Sequence, residues 1–177
     1  MGDFRQAVEW LDKRGRKMAE KDVIEKVKEH LKDKIVFWEE KSPNRHYFGV
    51  KKTDVVSVVK YLFEKMGARF ITASGVDTPE GIEILYHFSF DKEGGKVVTV
   101  KVLVPKQSCE VESIAPFIAG ANFIEREIRE LLGVKFLNHP DPRPLLTSED
   151  WPKGVYPLRL DYRDARFPQD LQEKKEK

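Results

Sequence analysis

The side chains able to do chemistry are few: four histidines, one cysteine, and carboxylates that gather ahead of residue 142. Glu125, Glu127, His139 and Asp141 supply carboxylates and an imidazole, the ingredients of general acid–base catalysis. Geometry weighs against it. On a helix, two positions are about 200° of rotation at 3.6 residues per turn, so Glu125 and Glu127 diverge. Cys109 follows Ser108, and a nucleophilic thiol needs a base or a positive field beside it. Lys101 and Lys106 are its cationic neighbours along the chain. A single cysteine makes no internal disulfide, and it falls short of the roughly four ligands of an iron–sulfur centre or Cys-rich zinc site. Neither GxGxxG nor GxxxxGK followed by Ser or Thr occurs, and Gly94-Gly95 reads as a turn, so nucleotide binding is not expected. No catalytic, cofactor-binding or metal-binding residue is assigned. A stand-alone enzyme using Glu125, His139 and Cys109 stays open as a rival reading.

Charge excludes a further class. Lysine and arginine number 32 against 30 aspartates and glutamates in 177 residues. A nucleic-acid footprint is far more lopsided, so no such partner is expected. Lys13, Arg14, Arg16 and Lys17 are diluted by Asp12 and Glu20 and read as a solvated arm. Charged residues make up 35% of the chain, above the usual level of about 25%, and Asn plus Gln number seven, which leans toward heat adaptation. Residues 1–20 lack the apolar core of a secretory signal. The longest charge-free stretch, Ser113 to Ile124, is twelve residues, where a membrane-spanning helix needs about twenty. The expectation is a cytoplasmic chain.

The elements that position these groups follow from periodicity. Val23, Val27 and Leu31 recur at helical spacing. Ile35–Trp38 and His46–Val50 read as strands around a turn at Ser42-Pro43-Asn44. Thr53 reads as the N-cap of a helix whose apolar face runs from Val55 to Met66, with Gly67 as its stop. Arg69–Ala73 is a short strand. Ile82–Phe90 and Val98–Val104 alternate apolar and polar residues around Gly94-Gly95, the pattern of an antiparallel hairpin. A covering helix runs from Pro116 through Phe117, Ala121, Ile124, Ile128 and Leu131 to Gly133. Glu125, Arg126, Glu127, Arg129 and Glu130 fall on its outer surface, with Glu125 and Arg129 spaced for an i,i+4 pair. The fold class is α+β, a mixed or antiparallel sheet covered by helices.

The division along the chain is a charged arm (1–19), an α+β domain (20–138), an extended partner-docking segment (139–168) and a charged tail (169–177). The docking segment, or strap, holds six of the ten prolines, a density that no helix or long strand survives. It also carries Leu145, Leu146, Trp151, Tyr156, Leu158, Leu160, Tyr162 and Phe167, a composition unlike that of disorder. Such a strip becomes ordered by laying its apolar groups on a surface, whether its own domain or another chain. Its arginines, Arg143, Arg159, Arg163 and Arg166, alternate with Asp141, Asp150, Asp161 and Asp164, as protein interfaces do.

The ordered set Glu125-Arg126-Glu127, Glu130, Gly133, Phe136, His139-Pro140-Asp141, Asp150-Trp151 and Pro157-Leu158-Arg159-Leu160-Asp161-Tyr162 resembles a known signature. It is that of the 30-kDa subunit of respiratory complex I, also called the C subunit of NADH:quinone oxidoreductase. The same module occurs in energy-converting membrane-bound nickel–iron hydrogenases. The resemblance extends upstream through Arg69–Ala73, Tyr86-His87-Phe88, Ser113 and Ala121-Asn122. Glu130 stands where the family usually has Asp, Asn138 for its Gly, and Leu160 for its Lys, and Val155-Tyr156 lengthen the spacing before Pro157. These departures lean toward the hydrogenase-related branch.

The resemblance implies a peripheral-arm subunit without a cofactor or redox centre, on the inner face of the cell membrane. Its C-terminal segment wraps along the large hydrogenase-like (49-kDa-like) subunit. It lies near the small iron–sulfur subunit and reaches the membrane arm indirectly. Trp151, Tyr156, Leu158 and Tyr162 are the expected apolar anchors, and Arg159 and Asp161 set register. Glu125, Arg126 and Glu127 hold the strap's root.

Overall fold

The alternation of residues 82–104 builds the centre of the molecule. The computed structural model describes residues 22–148 and 150–162. In it Ile82–Phe90 (β4) and Lys96–Val104 (β5) pair antiparallel in unbroken register, from Ile82 opposite Val104 to Phe90 opposite Lys96. Gly94 and Gly95, in the link, both have positive φ, a conformation that costs glycine little. Ile82, Ile84, Tyr86, Phe88 and Phe90 are buried together with Val98, Val100, Val102 and Val104.

These two strands belong to a five-stranded sheet completed by Ile35–Ser42 (β1), Arg45–Val50 (β2) and Arg69–Asp77 (β3), in the order β1-β2-β5-β4-β3. β2 and β5 run parallel and every other pair is antiparallel, so the sheet is mixed. Parallel neighbours need a long crossover; here it contains Val55–Lys60 (α2), β3 and β4. Val23–Leu31 (α1) is capped by Asp22, which accepts from the Ile24 amide at 2.9 Å, and it buries Val23, Ile24, Val27 and Leu31. α2 begins after Asp54, one residue beyond the expected Thr53 cap, and continues as a π-helical turn over Tyr61–Lys65.

Ala121–Leu132 (α3) lies on β3. A Cβ at Gly75 would sit 2.4 Å from Leu132 Cδ1, so glycine is what lets helix and strand approach. Glu110–Glu112 (β6) and Lys135–Leu137 (β7) form a small parallel pair that buries Val111 and Phe136. The fold is α+β: a five-stranded mixed sheet with helices.

Three expectations change. The covering helix starts at Ala121 and not near Pro116. Residues 114–120 make turns instead, with the amides of Phe117 and Ile118 donating to the Ile114 carbonyl. Glu125 and Arg126 are also not on the outer surface. They are buried with Ala121, Ile128 and Leu132, and Glu125 does not pair with Arg129. Amphipathic periodicity puts charge outside by default; here each charge has an internal partner, described below. β3 also runs past Ala73 to Asp77. The N-terminal arm, Arg163, Asp164, Arg166 and the tail lie outside the described residues.

Candidate functional site

The strap leaves the body just after β7, and its prolines decide how it must be held. Pro140, Pro142 and Pro144 carry no N–H, so this stretch cannot make a ladder of its own, yet its polar groups need partners. Each amide between 141 and 147 finds one. Asp141 donates to His139 Nδ1 (3.0 Å) and Arg143 to Asp141 Oδ1 (3.1 Å). Leu145, Leu146 (2.8 Å) and Thr147 (2.9 Å) donate to the Glu130 carboxylate, and the Thr147 hydroxyl adds a fourth donor. The carbonyls are met by arginines of α3. Arg126 Nε donates to the Arg143 carbonyl (3.0 Å), Nη1 to Asp141 Oδ2 (3.1 Å) and Nη2 to the Pro144 carbonyl (2.6 Å). Arg129 Nη2 reaches the Arg143 carbonyl at 2.7 Å. Residues 126, 129 and 130 share one helix face by their three- and four-residue spacing, so α3 presents a clamp of two cations and one anion.

The electrostatics follow. Burial opposes ionisation of Glu130, but the amides of Thr147, Leu146 and Leu145 outweigh it and hold the carboxyl below its usual range. Asp141 is held low chiefly by the Arg143 guanidinium and amide, with Arg126 adding to them.

Beneath the clamp is a buried polar cluster. Glu125 is fully buried. It accepts from Ser113 Oγ at 2.5 Å and from the Ile114 amide at 2.9 Å, while Ser113 Oγ accepts from the Ala115 amide. This carboxylate therefore fixes the turn entering α3. Burial raises its pKa to about 7, and the hydrogen bonds from Ser113, Ile114 and Ala115 offset only part of that. His139 Nε2 lies 3.8 Å from Glu125 Oε2 and 3.2 Å from the Asn122 carbonyl. Because His139 Nδ1 accepts the Asp141 amide, Nε2 carries the proton in the neutral ring. Desolvation, the largest influence, lowers the His139 pKa. Glu125 and His139 do meet, but their side chains are 0% and 4% exposed, a closed arrangement suited to holding the strap's root.

A second attachment lies further along the strap. α3 ends at Gly133 with φ 74°, and a Cβ there would fall 2.4 Å from the Tyr156 ring. Glycine is required twice, for the left-handed cap and for the ring packed on it. The Arg159 guanidinium stacks over Tyr156 at 4.9 Å, donates to the Leu132 carbonyl at 2.8 Å and touches Cys109 Sγ at 3.3 Å. The Leu158 amide donates to the Leu131 carbonyl (3.0 Å), and the Leu160 amide to Asp77 Oδ2 (2.9 Å). Asp77 also pairs with Lys106 at 2.6 Å, and Lys101 with Glu83 at 3.1 Å. Neither lysine is therefore dedicated to Cys109; its cation is Arg159.

The structure thus brings Glu125, Arg126, His139 and Asp141 together at the root, and Gly133, Tyr156, Leu158 and Arg159 at the second attachment. Glu127 is half-buried and joins neither. Phe136 is buried in β7, Pro140 is exposed, and Pro157 and Tyr162 are half-buried. Asp161 is exposed, and Trp151 donates Nε1 to the Val155 carbonyl within its own turn at 2.9 Å. Sequence reasoning paired Arg129 with Glu125 and noted Glu130 and Ser113 only within the resemblance, without seeing their partners, and it gave Asp77 no role. The signal for Arg129 and Glu130 is their phase with Arg126 on α3. Asp77 has no local signal, since its partner lies 83 residues away.

Residues 48–167 match the family described as respiratory-chain NADH dehydrogenase, 30 Kd subunit. The chain belongs to this family. Its relatives include the C subunit of the F(420)H(2) dehydrogenase of Methanosarcina mazei, 37% identical over 125 residues, which are 68% of this chain and 77% of the relative. Formate hydrogenlyase subunit 5 of Escherichia coli is 33% identical over 120 residues, 66% of this chain but 21% of the relative. Among solved structures, a chain of the membrane-bound sulfane sulfur reductase, an archaeal respiratory membrane complex, shares the fold. Its TM-score is 0.71 at 20% identity, covering 88% of this chain and 90% of that one. Among the described residues no helix is long and apolar enough to cross a membrane.

Proposed function

We propose that this 30-kDa-family chain is a non-catalytic peripheral-arm subunit of a membrane-bound, ion-translocating oxidoreductase of the energy-converting nickel–iron hydrogenase type. It scaffolds the large catalytic subunit through residues 139–168, and its α+β body, residues 20–138, also borders the small iron–sulfur subunit. Electrons pass through those partners, on the inner face of the cell membrane. The observation that carries this reading is one of length. The similar region is a fifth of formate hydrogenlyase subunit 5 but most of the Methanosarcina mazei dehydrogenase subunit. One module that stands alone in one complex and is joined to a much longer chain in another is a module that works beside that chain.

A second reading has its own support. The 37% identity to a dehydrogenase subunit favours the corresponding subunit of a donor:quinone oxidoreductase. Purifying the complex and assaying nickel and hydrogen turnover separates the two.

Deleting residues 139–168 tests the shared part. The large subunit is expected to be lost on purification; an active large subunit still co-purifying overturns the scaffold role. The enzyme reading requires instead that substituting Glu125, His139 or Cys109 abolish turnover while assembly survives.

A further inference from the structure

We propose that the strap is a preformed docking surface whose contact groups are Leu146, Leu158 and Leu160, offered to the large catalytic subunit. This rests on the reading of the strap as a docking segment and deepens it. The three leucines share a construction. They are among the most exposed large apolar residues, at 59%, 57% and 64%. The backbone amide of each is nonetheless bound to the body: Leu146 to Glu130 at 2.8 Å, Leu158 to the Leu131 carbonyl at 3.0 Å, and Leu160 to Asp77 at 2.9 Å. The chain is fixed at the same positions where its apolar side chains are left in water.

Fixing the backbone in advance removes much of the ordering entropy that a flexible segment loses on binding. The aromatic groups do the opposite work. Tyr156 turns onto Gly133, and Trp151 bonds within its own turn, so they order the strap and are not its outward contacts. Exposed Arg143, three residues before Leu146, and exposed Asp161, next to Leu160, put charge of both signs beside the leucines along the chain, the usual composition at the edge of a protein interface. The occupant is the large subunit, because in formate hydrogenlyase subunit 5 the matched region is covalently continuous with the rest of a chain of which it makes up 21%. Its matching surface has apolar seats for leucine with mixed charge around them.

Two measurements test this. In the isolated full-length chain, hydrogen exchange at the amides of 145–147, 158 and 160 is expected to be at least about tenfold slower than in an unstructured peptide. Peptide-like rates in the free chain, with protection only in the complex, overturn the preformed surface. In the complex, the combined variant Leu146→Ser, Leu158→Ser, Leu160→Ser is expected to reduce co-purifying large subunit by about tenfold or more, with free-chain exchange unchanged. Undiminished large subunit in that variant overturns the leucine surface. If removal of 139–168 releases the large subunit while the leucine variant keeps it, the docking reading stands and this inference fails. If neither change releases it, both fail.

Discussion

The body and the strap of this chain are held by different forces. The body is a continuous apolar cluster running from Val23 to Phe136 and drawn from both the sheet and the helices. The described strap residues, 139–162, add nothing to that cluster, although the His139 side chain is enclosed at the root. Six side chains hold them by hydrogen bonds: Arg126, Arg129, Glu130 and Asp77 of the body, and His139 and Arg159 of the strap. Apolar burial is non-directional and spread over many contacts. Polar pins are directional, and each is worth about 1 kcal/mol, up to about 3 kcal/mol where a charge is involved. The strap thus lies against the body but is held to it by a different kind of interaction.

The largest expected effect is in the body. Ile84→Ala, at a fully buried position, is expected to lower global stability by roughly 2–5 kcal/mol in urea unfolding. Glu130→Ala is expected to leave that midpoint nearly unchanged and to speed exchange at the 145–147 amides. Equal losses of global stability from the two variants break the division.

Acidity sharpens it. Glu125 binds its proton more tightly folded, with a pKa of about 7, than unfolded, at 4.5. Its contribution is therefore largest below pH 4.5 and is lost as pH rises toward 7, by roughly 3 kcal/mol at about 1.4 kcal/mol per unit. His139, with its pKa lowered, slopes the other way as pH falls below 6.5. The difference between the wild-type and Glu125→Gln stability curves isolates the first effect. The pins behave oppositely to Glu125. Glu130 and Asp77 are held low, so their contribution is full above the ordinary carboxylate range and is lost as pH falls through it. Acidification is expected to open the strap, read by limited proteolysis, over a range where Glu125 favours the body.

Gly133 belongs to both regions. Gly133→Ala forces φ 74° on a residue with a Cβ and drives that Cβ into Tyr156. A loss of roughly 1–3 kcal/mol is expected, with faster exchange at the Leu158 amide. The smallest effect is expected from Arg143→Ala, whose side chain is 79% exposed: at most about 1 kcal/mol.

The body was largely legible in sequence because its strands alternate. Ile82–Phe90 could be read residue by residue. The parallel pairing of β2 with β5 could not, since it joins segments about fifty residues apart and leaves no local pattern. β6 and β7 are three residues each, too short for a period. The strap was legible as an ordered, proline-rich strip, but its partners within the chain were not. Periodicity sends Glu125 and Arg126 to solvent, whereas Ser113 and the carbonyls of Arg143 and Pro144 draw them in. The aromatic strap residues drew attention as anchors. Of the three outward leucines only Leu158 did, because exposure is a property of the folded chain.

The scaffold role is tested most directly by a photoreactive amino acid placed at position 158 of the full chain in the purified complex. Illumination is expected to cross-link this chain to the large catalytic subunit. Cross-links confined to the small iron–sulfur subunit, or to none, contradict the account.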